Sequence, residues 1–216
     1  MKSTTLKITM LAFLAIGTFS CKNNEKEVAK EIETAAEASE VAVEYKVDTA
    51  ASAIKWEGSK PTTTHFGTIK LASGAFSVNN DKVEAGKFEI DMKSINVEDL
   101  EGEYKANLEA HLMGTVEGKE GDFFNANKYP TSKFELTKIE GNTVHGNLTI
   151  KEKTNAIEFP ATITINGDNL ELVSEPFNLD RTKWDVNFGS KSIFPNLGDK
   201  FVSDDMKITL SIVAKK

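Results

Sequence analysis

Asp122-Phe123-Phe124-Asn125-Ala126-Asn127-Lys128-Tyr129-Pro130-Thr131-Ser132-Lys133-Phe134 joins an aromatic pair to a Tyr-Pro turn and then to alternating apolar residues. A chain written this way stops, folds back and enters a sheet. Soon after it, Leu148-Thr149-Ile150-Lys151-Glu152-Lys153-Thr154-Asn155-Ala156-Ile157-Glu158-Phe159-Pro160 ends one alternating run, turns on polar residues and begins another. Residues on the amino-terminal side of these stretches supply strands, and those on the carboxy-terminal side close the sheet.

Working backwards, period two begins at Tyr45. Val47, Ile54 and Trp56 predict a first strand interrupted at Thr49-Ala50-Ala51-Ser52, where small residues allow a bend. Ile69 and Leu71 share one parity and Phe76 and Val78 the other, with Ser73-Gly74 between them as a bulge that curves the sheet. After the turn at Asn79-Asn80-Asp81, Phe88, Ile90 and Met92 alternate with Glu89, Asp91 and Lys93, the dry-and-wet pattern of an antiparallel sheet. Between Ser94 and Gly121 the spacing changes to four, at Leu100, Tyr104, Leu108 and Leu112, which predicts one helix lying across a barrel end.

Working forwards, Phe134 and Leu136 turn at Gly141-Asn142 and return through Val144, Leu148 and Ile150. Ile157, Phe159, Ala161, Ile163 and Ile165 alternate up to Asn166-Gly167-Asp168, and Leu170 and Leu172 begin the next strand. Phe177 and Leu179 lead into Arg181; Trp184, Val186 and Phe188 alternate towards Gly189; Met206, Ile208, Leu210 and Ile212 form the last strand. The fold class is mainly β: an antiparallel lipocalin-like barrel of about eight strands with one short helix near an end. A barrel of that size is either filled by side chains or holds one small ligand.

Composition removes several functions. The net charge of −7 scatters basic residues among more numerous acids, so no nucleic-acid groove is expected. Cys21 is the only cysteine in the sequence, which excludes intramolecular disulfides and thiolate clusters. His65, His111 and His145 fit no zinc motif, and no metal is expected. There is no Gly-x-Ser-x-Gly elbow, and Asp204-Asp205 lies in a polar turn where nothing would raise a carboxyl pKa, so no catalytic residue is assigned.

Residues 1–20 have the layout of a secretory signal: Lys2 and Lys7, an apolar run from Ile8 to Ile16, then small residues before Cys21. Cys21 resembles the lipid-modified cysteine of bacterial lipoproteins, although Thr18 replaces the usual Leu. The expected location is therefore beyond the inner membrane, lipid-anchored in the periplasm or at the outer-membrane surface. Residues 21–44, rich in Glu, Lys and Ala, read as an acidic flexible tether to a domain spanning 45–216. A homodimer is allowed but not specified by these residues.

The two quoted stretches, together with Phe177-Asn178-Leu179-Asp180-Arg181-Thr182-Lys183-Trp184, are similar to the YceI-like family of secreted polyisoprenoid-binding, lipocalin-like barrels. Val47-Asp48-Thr49-Ala50 and Ser52-Ala53-Ile54-Lys55-Trp56 resemble its first strand, so the likeness runs in family order from Tyr45 onward. It implies an extended barrel whose central pocket holds an isoprenoid tail, with no cofactor beyond that lipid and no enzymatic activity. Phe88, Ile90, Met92, Phe134, Leu136, Leu148, Ile150, Phe159, Ile163, Phe188, Ile208 and Leu210 become candidate tail contacts. Periodicity alone favours a plain core for this set. Arg181 would meet a polar headgroup or else form a structural ion pair, and Lys60 and His65 are weaker mouth candidates. Ala50-Ala51 in place of the family's Ala-His, and the loosely similar Thr62 to Gly67 region, leave the ligand's identity open.

Overall fold

The computed structural model describes residues 31–216. Among them are ten strands and one α-helix: β1 Val43–Val47, β2 Ala53–Lys60, β3 Thr63–Asn79, β4 Lys82–Val97, α1 Gly102–Met113, β5 Thr131–Glu140, β6 Thr143–Ile150, β7 Lys153–Asn166, β8 Asn169–Ser174, β9 Phe177–Asp180 and β10 Asp205–Lys215. Every named pair of strands is antiparallel, and β2 to β8 run in sequence order before β10 joins β8 back to β2. The result is a closed ring of eight strands, which removes the sheet edges that would otherwise invite aggregation. The remaining two are continuations: β1 pairs with β3 and β10 below β2, and β9 extends the line of β8 along β10. The expected break at Thr49–Ser52 is the gap between β1 and β2, where the Asp48 carboxylate accepts from the Ala50 and Ala51 N–H groups.

Curvature comes where small residues were expected to give it. The β3–β4 register shifts between Leu71 and Ser73, so that Ile69, Leu71, Phe76 and Val78 are all buried despite their opposite parities. Gly67 answers to a close approach: a Cβ there would lie 1.9 Å from the Asn96 carbonyl oxygen on β4, so only glycine lets the strands meet. Tight turns are made by Asn80-Asp81 and Lys151-Glu152, all four with positive φ, as a type I′ hairpin requires.

Three expectations are corrected. Tyr104 shares the stripe expected to lie across the barrel end but is 79% exposed, and no residue of α1 is fully buried. The helix is instead sewn to the end of β4 by polar contacts: Lys105 donates to the Val97 carbonyl and Glu109 accepts from the Val97 N–H at 2.9 Å. Leu108 and Leu112 alone of the stripe reach the interior. The alternation from Trp184 to Phe188 is not a strand but a 3₁₀ turn, Arg181–Trp184, leading into a loop. Its start is capped by Asp180, which accepts from the Thr182 N–H (3.0 Å) and hydroxyl (2.6 Å).

The third concerns the tether. Its described part, from residue 31, is not a free leash but lies against the barrel wall. Glu33 accepts through its carbonyl from Asn147 on β6 (2.6 Å), the Ala36 N–H donates to Leu136 on β5 (2.8 Å), and the Ser39 N–H donates to Glu84 on β4 (2.8 Å). The pairing of β4 with β5 stops at Lys87 and Glu135, and the segment occupies the opening beyond it. The expected signal segment, Cys21 and the first part of the tether lie outside the described residues.

Candidate functional site

The barrel is two different interiors stacked end to end. At the end where β3 turns into β4, Tyr45, Val78, Leu136, Val144, Leu170 and Ala214 belong to a tightly buried core. At the other end, under α1, the side chains stand back and leave a cavity of ≈ 240 Å³. The residues of β10 that line it, Met206 to Ile212, span about 20 Å along the strand. The same barrel is thus filled below and hollow above.

One wall of the hollow is a ladder of phenylalanines. Phe76 and Phe88 meet edge-on at 4.9 Å, Phe134 lies 6.1 Å from Phe88 and 5.8 Å from Phe159, and Phe159 stacks on Phe177 at 4.7 Å. Because these rings come from β3, β4, β5, β7 and β9, the ladder crosses the strands and girdles the hollow. Met92, Leu148, Ile150, Ile208 and Leu210 complete much of the remaining surface, with Ile90 between the Phe88 and Met92 positions. The lining is almost wholly carbon.

Of the residues expected here, Phe88, Ile90, Met92, Phe134, Leu148, Ile150, Phe159, Arg181, Phe188, Ile208 and Leu210 do border the cavity. Leu136 and Ile163 do not. Leu136 has the inward parity but sits in the packed half, where the β5–β6 register shifts just after it. Ile163 is further along β7 than Phe159, also beyond the floor of the hollow. Parity fixes the face of a strand and says nothing of height. Phe76, Phe177, Trp56 and Leu172 also line the cavity, although only their alternation pointed to them.

Ionisable groups bordering the cavity are Glu57, Lys60, His65, His111 and Arg181. His65 Nδ1 lies 2.7 Å from the Asp99 carboxylate, and His111 Nε2 lies 2.7 Å from that of Asp122. His111 is also packed between Phe123 and Phe188, with ring centroids 5.0 and 4.8 Å away. Burial would push the Asp99 carboxyl up, but the Phe66 N–H and the His65 ring outweigh it and hold it below the ordinary carboxylate value. His145 lies elsewhere, between Glu140 and Glu158. Among the described residues no group of three or more His, Cys, Asp or Glu is placed to hold a metal ion.

Arg181 is the residue whose expected role changes most. Its side chain is 2% exposed, and its nitrogens donate to four backbone carbonyls: Ser203 (2.9 Å), Val186, Phe188 (2.9 Å) and Val202 (3.0 Å). A guanidinium has five N–H groups, so little is left for a headgroup. The nearest carboxylate is Asp204 at 3.8 Å, so the structural ion pair expected as the alternative is present but long, and the guanidinium is held chiefly by the four carbonyls. It ties the loop from Val186 to Ser203 to the 3₁₀ turn and so builds part of the cavity mouth.

Asp204 behaves accordingly. Burial pushes its carboxyl up, yet hydrogen bonds from Ser190 and Ser192 and the Arg181 charge outweigh that and hold it below its ordinary value of 3.8. A carboxyl lowered by folding stabilises the native state above its unfolded pKa, and that contribution is lost as pH falls through the folded value. The Asp204→Asn protein should therefore be less stable at neutral pH but lose less of its stability below about pH 4. Urea unfolding at neutral and acidic pH measures this; parallel pH profiles for the two proteins would show that Asp204 contributes nothing to acid sensitivity.

Comparison with known proteins is consistent with this geometry. A family model described as YceI-like domain matches residues 45–214. Two solved structures share the fold. One is Burkholderia cenocepacia BcnA, at 23% identity and a TM-score of 0.53 over 78% of this chain and 99% of that one. The other is a polyisoprenoid binding domain from Saccharophagus degradans implicated in plant cell wall breakdown, at 13% identity and a TM-score of 0.53 over 79% and 97%. No curated protein matches the chain.

Proposed function

Because the chain belongs to the YceI-like domain family, we propose that its barrel binds an isoprenoid or similar amphiphilic lipid by the tail, as a carrier or store in the bacterial cell envelope, with no chemistry performed on it. The observation that carries this reading is the carbon-lined hollow itself. Burying a methylene is worth about 0.8 kcal/mol, so about ten sequestered carbons supply about 8 kcal/mol before the costs of association. The Saccharophagus domain of similar fold is a polyisoprenoid binding domain, which is the kind of ligand the hollow suits. A lipid-modified Cys21 would hold the domain at a membrane.

An enzyme acting on small lipids would need acid, base or nucleophile beside the buried substrate. Ionisable groups here border only the mouth half of the hollow, and Arg181 among them spends four hydrogen bonds on backbone carbonyls, which favours binding over turnover. Native mass spectrometry of the purified protein, followed by solvent extraction, tests the reading. The expected result is a retained amphiphile, or uptake of a polyprenol from detergent micelles. A bare mass before and after such exposure would overturn it.

A further inference from the structure

We propose that the loop from Gly189 to Phe201, beside the cavity mouth, is the face by which the domain lies on an anionic lipid bilayer. This rests on the lipid-binding reading above, since it sets the mouth of the hollow against a source of tails. The loop is rooted rigidly: Arg181 holds both its arms, and the Val202 N–H donates to the Gly189 carbonyl at 2.9 Å. Its tip, by contrast, presents apolar groups to solvent. Ile193 is 42% and Phe194 47% exposed, and neither borders the cavity.

The roots of the loop identify its cover. Phe188, 39% exposed just before the loop, is also part of the cavity wall, as are Val202 and Ser203 just after it. The loop tip is therefore carried on residues that form the mouth, so seating it in a bilayer would bring the mouth of the hollow to a source of tails. Charge points the same way. In a chain of net charge −7, the loop itself carries two lysines, Lys191 and Lys200, against one aspartate, Asp199. Lys60 adds a further cation at the rim, near Glu57, on the β2–β3 hairpin whose Ser59 carbonyl accepts from the N–H of Ser203, just after the loop (2.8 Å). Large apolar side chains flanked by lysines are the chemistry of an interfacial segment on anionic lipid.

The described tether permits this orientation. From the closed end at Ser39 it climbs the wall to Glu33, beside Asn147, three residues short of the mouth-side end of β6. The twelve residue-to-residue steps from Cys21 to Glu33 can span at most about 40 Å, so a lipid on Cys21 would lie within reach of a bilayer at the mouth.

The test uses the chain from residue 21 onward carrying Cys21→Ser, so that no acyl group holds it, and sedimentation with phosphatidylcholine vesicles with and without phosphatidylglycerol. Binding to the phosphatidylglycerol vesicles is expected, with at least a tenfold loss of partitioning for the Ile193→Ser/Phe194→Ser double variant. That variant should keep the parent's thermal stability and its uptake of polyprenol from micelles, because neither residue touches the hollow. Failure of uptake in the parent would sink the lipid-binding reading, whereas intact uptake with no vesicle binding, or binding unchanged by the double substitution, overturns the docking face. A doubled mass that the double substitution abolishes, without vesicle binding, would assign the loop to a second copy of the chain and overturn the proposal equally.

Discussion

Replacing Arg181 by methionine is expected to cost the domain about 3–5 kcal/mol, the range for breaking a buried charge network by removing one partner. Methionine keeps the length of the side chain and loses every donor, so the carbonyls of Val186, Phe188, Val202 and Ser203 lose their partner at once. Each buried group left unsatisfied costs about 1–3 kcal/mol, moderated where loop relaxation admits water. Asp204 loses its nearest cation as well. Arg181→Lys should fall between the two, because an ammonium has three donors and cannot span four carbonyls in a fixed plane. Urea denaturation with an unchanged m-value reads the effect directly. A loss under about 1 kcal/mol for the methionine variant would show that the loop holds itself and that the guanidinium is dispensable. Since Phe188, Val202 and Ser203 border the cavity, the same substitution should also weaken lipid retention.

That residue also shows where the sequence stops being informative. A lone arginine beside an aspartate and a tryptophan reads as a headgroup contact or an ion pair, because side chains are written in the sequence and the direction of backbone carbonyls is not. The ring of strands was legible for the opposite reason: alternation is a local property, and the Asn80-Asp81 and Gly141-Asn142 turns carry their own chemistry. Helix α1 was found by its spacing but placed too deep, since Lys105 and Glu109 dock it through polar bonds and Tyr104 need not be buried. The tether misled for a related reason. Its composition is that of a solvated spacer, and the contacts that hold it use the backbone at Glu33, Ala36 and Ser39. The division of the interior was invisible to pattern, because Leu136 and Leu148 share a face and differ only in height. The expectation of a hollow came from the family resemblance, not from periodicity.

Filling the hollow should separate binding from folding more sharply than emptying it would. In the Ile90→Trp/Leu210→Trp variant, two side chains that border the cavity from β4 and β10 are enlarged into it. An apolar void costs about 24 cal/mol per Å³, so one of ≈ 240 Å³ left empty would cost about 6 kcal/mol. That is comparable to the whole net stability of a typical domain. Two indoles recover part of that cost, against about 1–3 kcal/mol of strain where they are misfitted. The ligand-free protein should therefore unfold at the same temperature as the parent or higher. Lipid retention should fall at least tenfold, about 1.4 kcal/mol, because the indoles take the space the tail requires. Native mass spectrometry gives the occupancy, and thermal unfolding of delipidated samples gives the stability. Undiminished lipid in a folded double-tryptophan protein would place the ligand outside the barrel. A steep fall in stability would mean instead that the space is already needed by the protein's own side chains, and the tail would have nowhere to lie.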